Sequence, residues 1–420
     1  MTAPSRADGQ LRRARVAVLA HFFVLGAATA TWAARLPAIK SELHLTDGSL
    51  GLALFAAPAG GVVTLALSGR ITDRFGAVRV LRVAGLLVPA ALVCLGLARN
   101  LPVLMVALVC FGALSGLLDV AMNTCGARLE AGYGRPILTS LHAGYSIAGL
   151  AGAGIGGAFA ALGISPLPTF ATAAGLLAVL AVVSGRFVVL PDFAPHVGQP
   201  GDSPRRTARN ISLVIAVLGL LALCGQLGEG AAGDWSAVYL HVNLGTSQGL
   251  AAVGLAAFSI TMAAGRMVGD RLAVRFGPVL LVRCSGLVAG LGLAGGLLID
   301  SPAAVIAGFA LLGAGLAAIF PQAVSVAARL DPERAGRNIG RIASVSYLGL
   351  LGGPVLIGGI ASGVGLRNAL LVPAGLALLV AVLAGIMSQE KREVPDEGVR
   401  DGGERPGGTG RRGRPAGARP

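Results

Sequence analysis

From residue 14 to residue 387 the chain repeats one pattern: an apolar run of roughly 20 residues, a short polar or charged break, then another run. Each run is long enough to cross about 30 Å of hydrocarbon. The pattern predicts twelve spans, near residues 14–35, 48–68, 80–98, 102–127, 137–162, 169–188, 210–232, 246–265, 279–299, 303–328, 339–362 and 366–387. A soluble core could hide a few such helices but not a dozen. The chain therefore reads as an all-α, polytopic membrane protein.

The breaks divide these spans unevenly. The longest one before the tail, "PDFAPHVGQPGDSPRRTARN" at residues 191–210, joins six spans to six. The expected organisation is an N-terminal segment (1–13), a six-helix bundle (14–190), a linker (191–209), a second bundle (210–387) and a tail (388–420). The tail is rich in Gly, Pro and Arg without an apolar face, so disorder near anionic headgroups is expected. The halves also repeat. "GRPILTSLHAGYSIAGLAGAGIGG" from Gly134 matches "GRNIGRIASVSYLGLLGGPVLIGG" from Gly336, pairing Tyr145 with Tyr347 and His142 with Ser344. Twelve transmembrane helices in two pseudo-symmetric six-helix bundles make a frame for alternating access around a central cavity.

Composition agrees: 54% of residues are hydrophobic, 13% are charged and the mean hydropathy is +0.76. The 64 glycines suit close helix packing in lipid. The net charge of +14 invites a nucleic-acid partner, but its placement argues for none. Eight of the 34 basic residues lie in the tail, and the others cluster between spans. With the N-terminus inside, only Arg35, Lys40, Arg99 and Arg367 fall on the outer side, so both termini are expected in the cytoplasm. The first apolar run ends without a small-residue cleavage site and reads as a retained span. The five cysteines, all in or beside spans, show no CxxC spacing, so no metal site, disulfide framework or cofactor is expected.

The most specific motif is "GRITDRFGAVR", between spans two and three. Its Gly69, Asp73, Arg74, Gly76 and Arg79 resemble the cytoplasmic loop motif of the major facilitator superfamily. That resemblance implies that Asp73 caps and pairs at the bundle interface and steadies one access state. A degenerate copy, "GRMVGDRLAVRFG", carries Asp270 and Arg271, with four extra residues between Asp270 and Gly277. Together with "TWAARLPAIK", "GLLDVAMNTCGARLE", "GRPILTSLHAGYS" and "GDWSAVYL", the chain resembles a bacterial, YbjJ-type inner-membrane branch of that superfamily, distantly like fucose permeases. The likeness covers roughly residues 14–387 and names no cargo.

Polar residues inside spans are costly and mark function. Ser115, Asp119 and Asn123 share one helix face, and burial there favours the neutral acid, as a proton carrier requires. The fucose-permease likeness implies proton coupling by a span-four acid. The alternatives are a structural acid pairing near the cytoplasmic end with Arg128 or Arg135, and a direct ligand. His142 stands three residues before Tyr145, with Asp119 the first candidate partner. It serves either coupling or structure. Trp32 and Arg35 continue a face begun by His21, either as a platform and fork for a sugar-like ligand or as an interfacial anchor. Gln226 and Glu229 lie near the outer end of span seven. Glu229 is the second coupling acid, a ligand acceptor, or simply faces external water. Pro321 should kink span ten and leave Gln322 lining the cavity, with Asn123, Tyr145 and Tyr347 completing the candidate binding set.

No Walker loop, HExxH or GxSxG occurs, so ATP-driven transport and enzymatic chemistry have no support. The expected protein is a monomeric secondary transporter in a bacterial inner membrane. It moves a small polar organic solute, sugar-like or a metabolite, with protons and with the lipid bilayer as its surroundings. Proton-driven efflux of drugs or metabolites remains open, as does a non-transporting receptor or scaffold with a carrier fold.

Overall fold

Two helices start where a capping side chain meets a proline in the first turn. The Asn100 side chain, three residues before Val103, accepts a hydrogen bond from the Val103 amide at 3.1 Å, and Pro102 lies between them in the first turn. Ser301 caps the helix that opens with Pro302 in the same way. Helices stop or bend at glycines whose positive φ disfavours an L side chain, among them Gly76 at 84° and Gly277 at 76°. The computed structural model describes residues 6–45, 47–190 and 204–392. The end of the chain beyond 392, most of the expected linker and the first five residues lie outside them.

The resulting elements are α1 (Arg6–Ala34), the short α2 (Leu36–Glu42), α3 (Asp47–Phe75), α4 (Ala77–Gly96), α5 (Leu101–Tyr133), α6 (Leu138–Ala161) and α7 (Pro166–Gly185). After the linker come α8 (Pro204–Val238), α9 (Gln248–Ile299), α10 (Pro302–Leu316), α11 (Ile319–Leu330), α12 (Ala335–Val364) and α13 (Leu366–Leu383). Among the described residues no strand occurs. Ten helical stretches among the described residues are long and apolar enough to cross a membrane. One of them, Val253–Ile299, holds two crossings joined at the Gly277–Pro278 bend, and α3 supplies the shorter apolar stretch Phe55–Leu65. Each of the twelve expected spans thus falls on helix. The proline of span ten acts as anticipated: its ring would clash with the carbonyl four residues back, and α10 and α11 part at residues 317–318.

The same three helix pairings build both halves: α1 on α6, α3 on α5 and α4 on α7 in the first, and α8 on α12, α9 on α10 and α9 on α13 in the second. Glycine permits the closest of these contacts. A Cβ on Gly112 would strike the Ala57 carbonyl, and one on Gly313 would strike that of Phe258. Gly313 and Phe258 stand 201 positions after Gly112 and Ala57, so the repeat is a repeat of packing. Gly112→Ala is expected to destabilise the protein by about 1–3 kcal/mol through overpacking. Melting in detergent would check it against Gly149→Ala, whose Cβ meets nothing within 4 Å. Equal melting of the two variants would contradict this account of the contact.

Buried apolar side chains form two large clusters, one for each half. The first also takes in Val324, Ala328, Ala335, Ile339 and Ala343 from α11 and α12. The halves therefore share core at one end of the molecule. It is the end that carries the arginine-rich turns.

Candidate functional site

At that end, helix N-termini of one half receive carboxylates from the other. The first backbone N–H groups of a helix have no partner within it and carry partial positive charge. In α6 four successive N–H groups are met by two acids. Glu130 Oε2 accepts from Ile137 at 2.9 Å and Leu138 at 3.1 Å, while Asp270 of the other half accepts from Thr139 and Ser140, both at 2.9 Å. Glu130 also binds Arg329 across the divide at 3.1 Å. The related clamp uses Asp73, which accepts from the backbone of Arg337 in the first turn of α12 and lies 4.0 Å from its guanidinium. Burial raises the Asp73 carboxyl above its ordinary range, against the pull of Arg337. Backbones meet closely here too: a Cβ on Gly69 would lie 2.6 Å from Arg337 Cα, and one on Gly269 would strike Thr139.

Deeper in, polar groups from both halves converge. Asp119 lies near the middle of α5 and is half-buried. Asn123 Nδ2 donates to its carboxylate at 3.2 Å and to its backbone carbonyl at 2.9 Å. The other end of the Asn123 amide, Oδ1, meets His142 Nε2 at 3.0 Å. The His142 ring is held edge-on between Phe22 at 4.9 Å and Phe320 at 5.5 Å. Asp119 and Glu229 both act electrostatically on Tyr145, and Asp119 and Tyr145 act on Tyr347. Both repeat-related tyrosines thus lie within electrostatic reach of one acid. Across from them Arg266 of α9 donates to Ser146 at 2.8 Å and reaches Glu229 at 3.4 Å. Arg266 spans the two halves.

A lipid-length helical fold with two matched halves, closed at one end around a polar centre, is the architecture of a carrier. The sequence profile described as Major Facilitator Superfamily matches residues 17–254 and 218–414. The chain belongs to the Major Facilitator Superfamily. Its family is one of membrane transporters, not of enzymes. It is 35% identical over 377 residues to "Uncharacterized transporter y4wD" of Sinorhizobium fredii, covering 89% of this chain and 97% of that one. It is 31% identical to "Membrane protein MosC" of Rhizobium meliloti, covering 90% and 91%. In fold it is similar to the fucose transporter FucP in an outward conformation, with a TM-score of 0.69 at 17% identity over 89% of this chain and 98% of that one. It is also similar to the human organic anion transporter MFSD10, with a TM-score of 0.71 at 16% identity over 89% and 99%.

Against the facilitator frame, the sequence candidates fall into three groups. Asp119, Asn123, Tyr145, Tyr347 and Glu229 lie at or beside the centre, whereas Gln226, partly buried on α8, makes no hydrogen bond among the described residues. Gly69, Asp73, Gly76 and Asp270 build the clamps or their turns, whereas Arg74, Arg79 and Arg271 are exposed. The second motif is better formed than its spacing suggests. Its four extra residues add about one helical turn to α9 before Gly277, which leaves the face of Asp270 undisturbed.

The third group corrects expectations. Asp119 binds neither Arg128 nor Arg135, and His142 meets Asn123 instead of Asp119 itself. α5 runs on to Tyr133, past the expected end of its span, which moves Asp119 away from the helix end. Trp32 is buried within the first half against Phe170, at 6.1 Å between ring centroids, and Arg35 donates to the Ile164 carbonyl. Neither faces the centre or forms a belt. Gln322 is buried, and its amide donates to Thr139 at 3.3 Å across the closed end, so it ties the halves together there. Glu229 is not at an outer mouth: α8 continues to Val238, more than two turns beyond it. Arg266, Glu130 and Arg329 were missed as site residues. Each stands next to a predicted span end, where a charge reads as part of a basic turn. A charge on the same helix face as Asp270, one turn further into the apolar run, was the signal for Arg266.

Proposed function

We propose that this protein is a proton-coupled secondary transporter of a small polar organic solute, working by alternating access between bundles 14–190 and 210–387. The observation that carries the reading is Asp119. It is a half-buried acid in mid-helix, within electrostatic reach of one tyrosine from each half, with an asparagine as its hydrogen-bond partner and no ion pair among the described residues. A carboxyl without a fixed counter-charge in hydrocarbon gains and loses a proton as its surroundings change, whereas a paired one stays ionised. The Asp119–Asn123–His142 chain supports a role for the first half in coupling, and Glu229, paired with Arg266 at 3.4 Å, serves as a second acid only when that pair opens.

The distribution of arginines supports placing both termini and the clamped end in the cytoplasm of a bacterial cell, with the site opening outward. The fold likeness to FucP, one of whose structures is described as a fucose:proton symporter, supports uptake of a polar solute. The test is solute-dependent proton flux in proteoliposomes, over a metabolite panel and with the proton gradient in either direction. Uptake of a solute together with protons is expected. Solute movement indifferent to the gradient would remove the coupling. Solute movement against incoming protons would make the carrier an exporter. No movement in either direction would leave a receptor or scaffold.

A further inference from the structure

Arginine keeps its charge at any pH a protein meets, so a buried guanidinium must be matched by an anion. The Arg266 side chain is 10% exposed. Its Nη1 is well used, donating to Ser146 Oγ at 2.8 Å. Its Nε is buried without a partner, and its Nη2 has only Glu229 Oε2 at 3.4 Å. Nε and Nη2 form one edge of the guanidinium, the edge that matches the two oxygens of a carboxylate. Here that edge holds a single long contact.

Asp270, one turn along the same helix, shows what a settled carboxylate looks like in this protein, with both oxygens filled at 2.9 Å. Glu229 is not settled in that way. A third of its side chain is exposed, at 33%, and only one of its oxygens is engaged. Both members of the pair, like Asp119, act electrostatically on Tyr145, at the centre where solute would enter.

We propose that the Nε–Nη2 edge of Arg266 is the docking point for a carboxylate on the solute, and that Glu229 holds the place while solute is absent. The cargo is then a small organic acid or zwitterion. Its carboxylate lies on Arg266, and its hydroxyl or amine groups face Asp119, Tyr145 and Tyr347. This names the substrate class of the proposed site and rests on that reading for the site's location. Binding displaces Glu229 into the gap, and the buried positive charge stays matched throughout.

The test is equilibrium binding to the purified full chain at one pH, by thermal shift and calorimetry, using small hydroxy and amino acids paired with their primary amides. Acids are expected to bind at least about 10-fold more tightly than the amides. Arg266→Lys should erase that preference, because an ammonium lacks the planar edge. Glu229→Gln should tighten acid binding several-fold by removing the competitor. Since Arg266→Gln alone strands Glu229 and can unfold the protein, the double variant with Glu229→Gln keeps charge balanced, and it should lose acid binding while still eluting as a folded species. Amides binding as well as acids, no acid binding at all, or weaker acid binding by Glu229→Gln would each overturn the proposal. The readout does not involve protons. A carrier that selects acids yet moves them without protons would leave this inference standing and remove the coupling, and proton-coupled movement of neutral solutes would do the reverse.

Discussion

Asp119→Asn is expected to reduce solute-driven proton flux to the level of empty vesicles while leaving solute exchange without a gradient largely intact. The substitution preserves shape and keeps an oxygen for the Asn123 amide, which now donates to the Asp119 carboxylate at 3.2 Å. It removes only the ability to titrate. A folded carrier that binds and exchanges solute but no longer couples is the signature of a lost proton site, distinct from a damaged one. Binding affinity and exchange, measured beside flux, separate these outcomes. Flux equal to that of the unaltered protein would move the coupling to Glu229 or away from protons.

A second large effect is expected at the closed end. Asp270 accepts from the Thr139 and Ser140 amides of the opposite half, and it can do so only while that end is shut. Hydrogen bonds to a charged group contribute about 1.5–3 kcal/mol each. Asp270→Ala, which removes both, should therefore shift the population toward the state open at the arginine-rich end by about 100- to 10,000-fold, taking each 1.4 kcal/mol as tenfold. A cysteine at Ser344, half-buried on α12 one turn beyond Gly340 where the halves touch, reports that opening in a background without the five native cysteines. Faster labelling by an impermeant thiol reagent from the arginine-rich side is the expected result. Unchanged labelling in a protein that still elutes as folded would mean that the other contacts, Asp73 on Arg337 and Glu130 on Arg329, hold the end shut without it.

Much of this was legible from the order of residues because its causes are local. Lipid imposes one length on every apolar run, so twelve spans can be counted without knowing how they pack. The Asp119–Asn123 bond follows from a spacing of four on a helix, and the Pro321 break from a ring and the carbonyl four residues back. The two halves announced themselves through matched glycines and tyrosines, because repeated packing demands repeated small residues. The role of Asp73 was legible only through the resemblance of its motif to the superfamily's loop, because the helix N-terminus it serves, that of α12, belongs to the other half.

Tertiary structure alone decided which faces meet. Trp32 suits a belt, a ligand platform or a core equally well on its own helix, and only the approach of Phe170 makes it core. His142 found Asn123 and not Asp119 because the rotation of α6 against α5 is set by packing along both helices. Arg266 and Glu229 are separated by an entire turn of the chain through the membrane, so no spacing rule joins them. Spacing along one helix fixes only the relation of side chains to that helix's own axis. How far each axis is turned and slid against its neighbours is a property of the whole bundle, and the polar centre between the halves exists only once that has been settled.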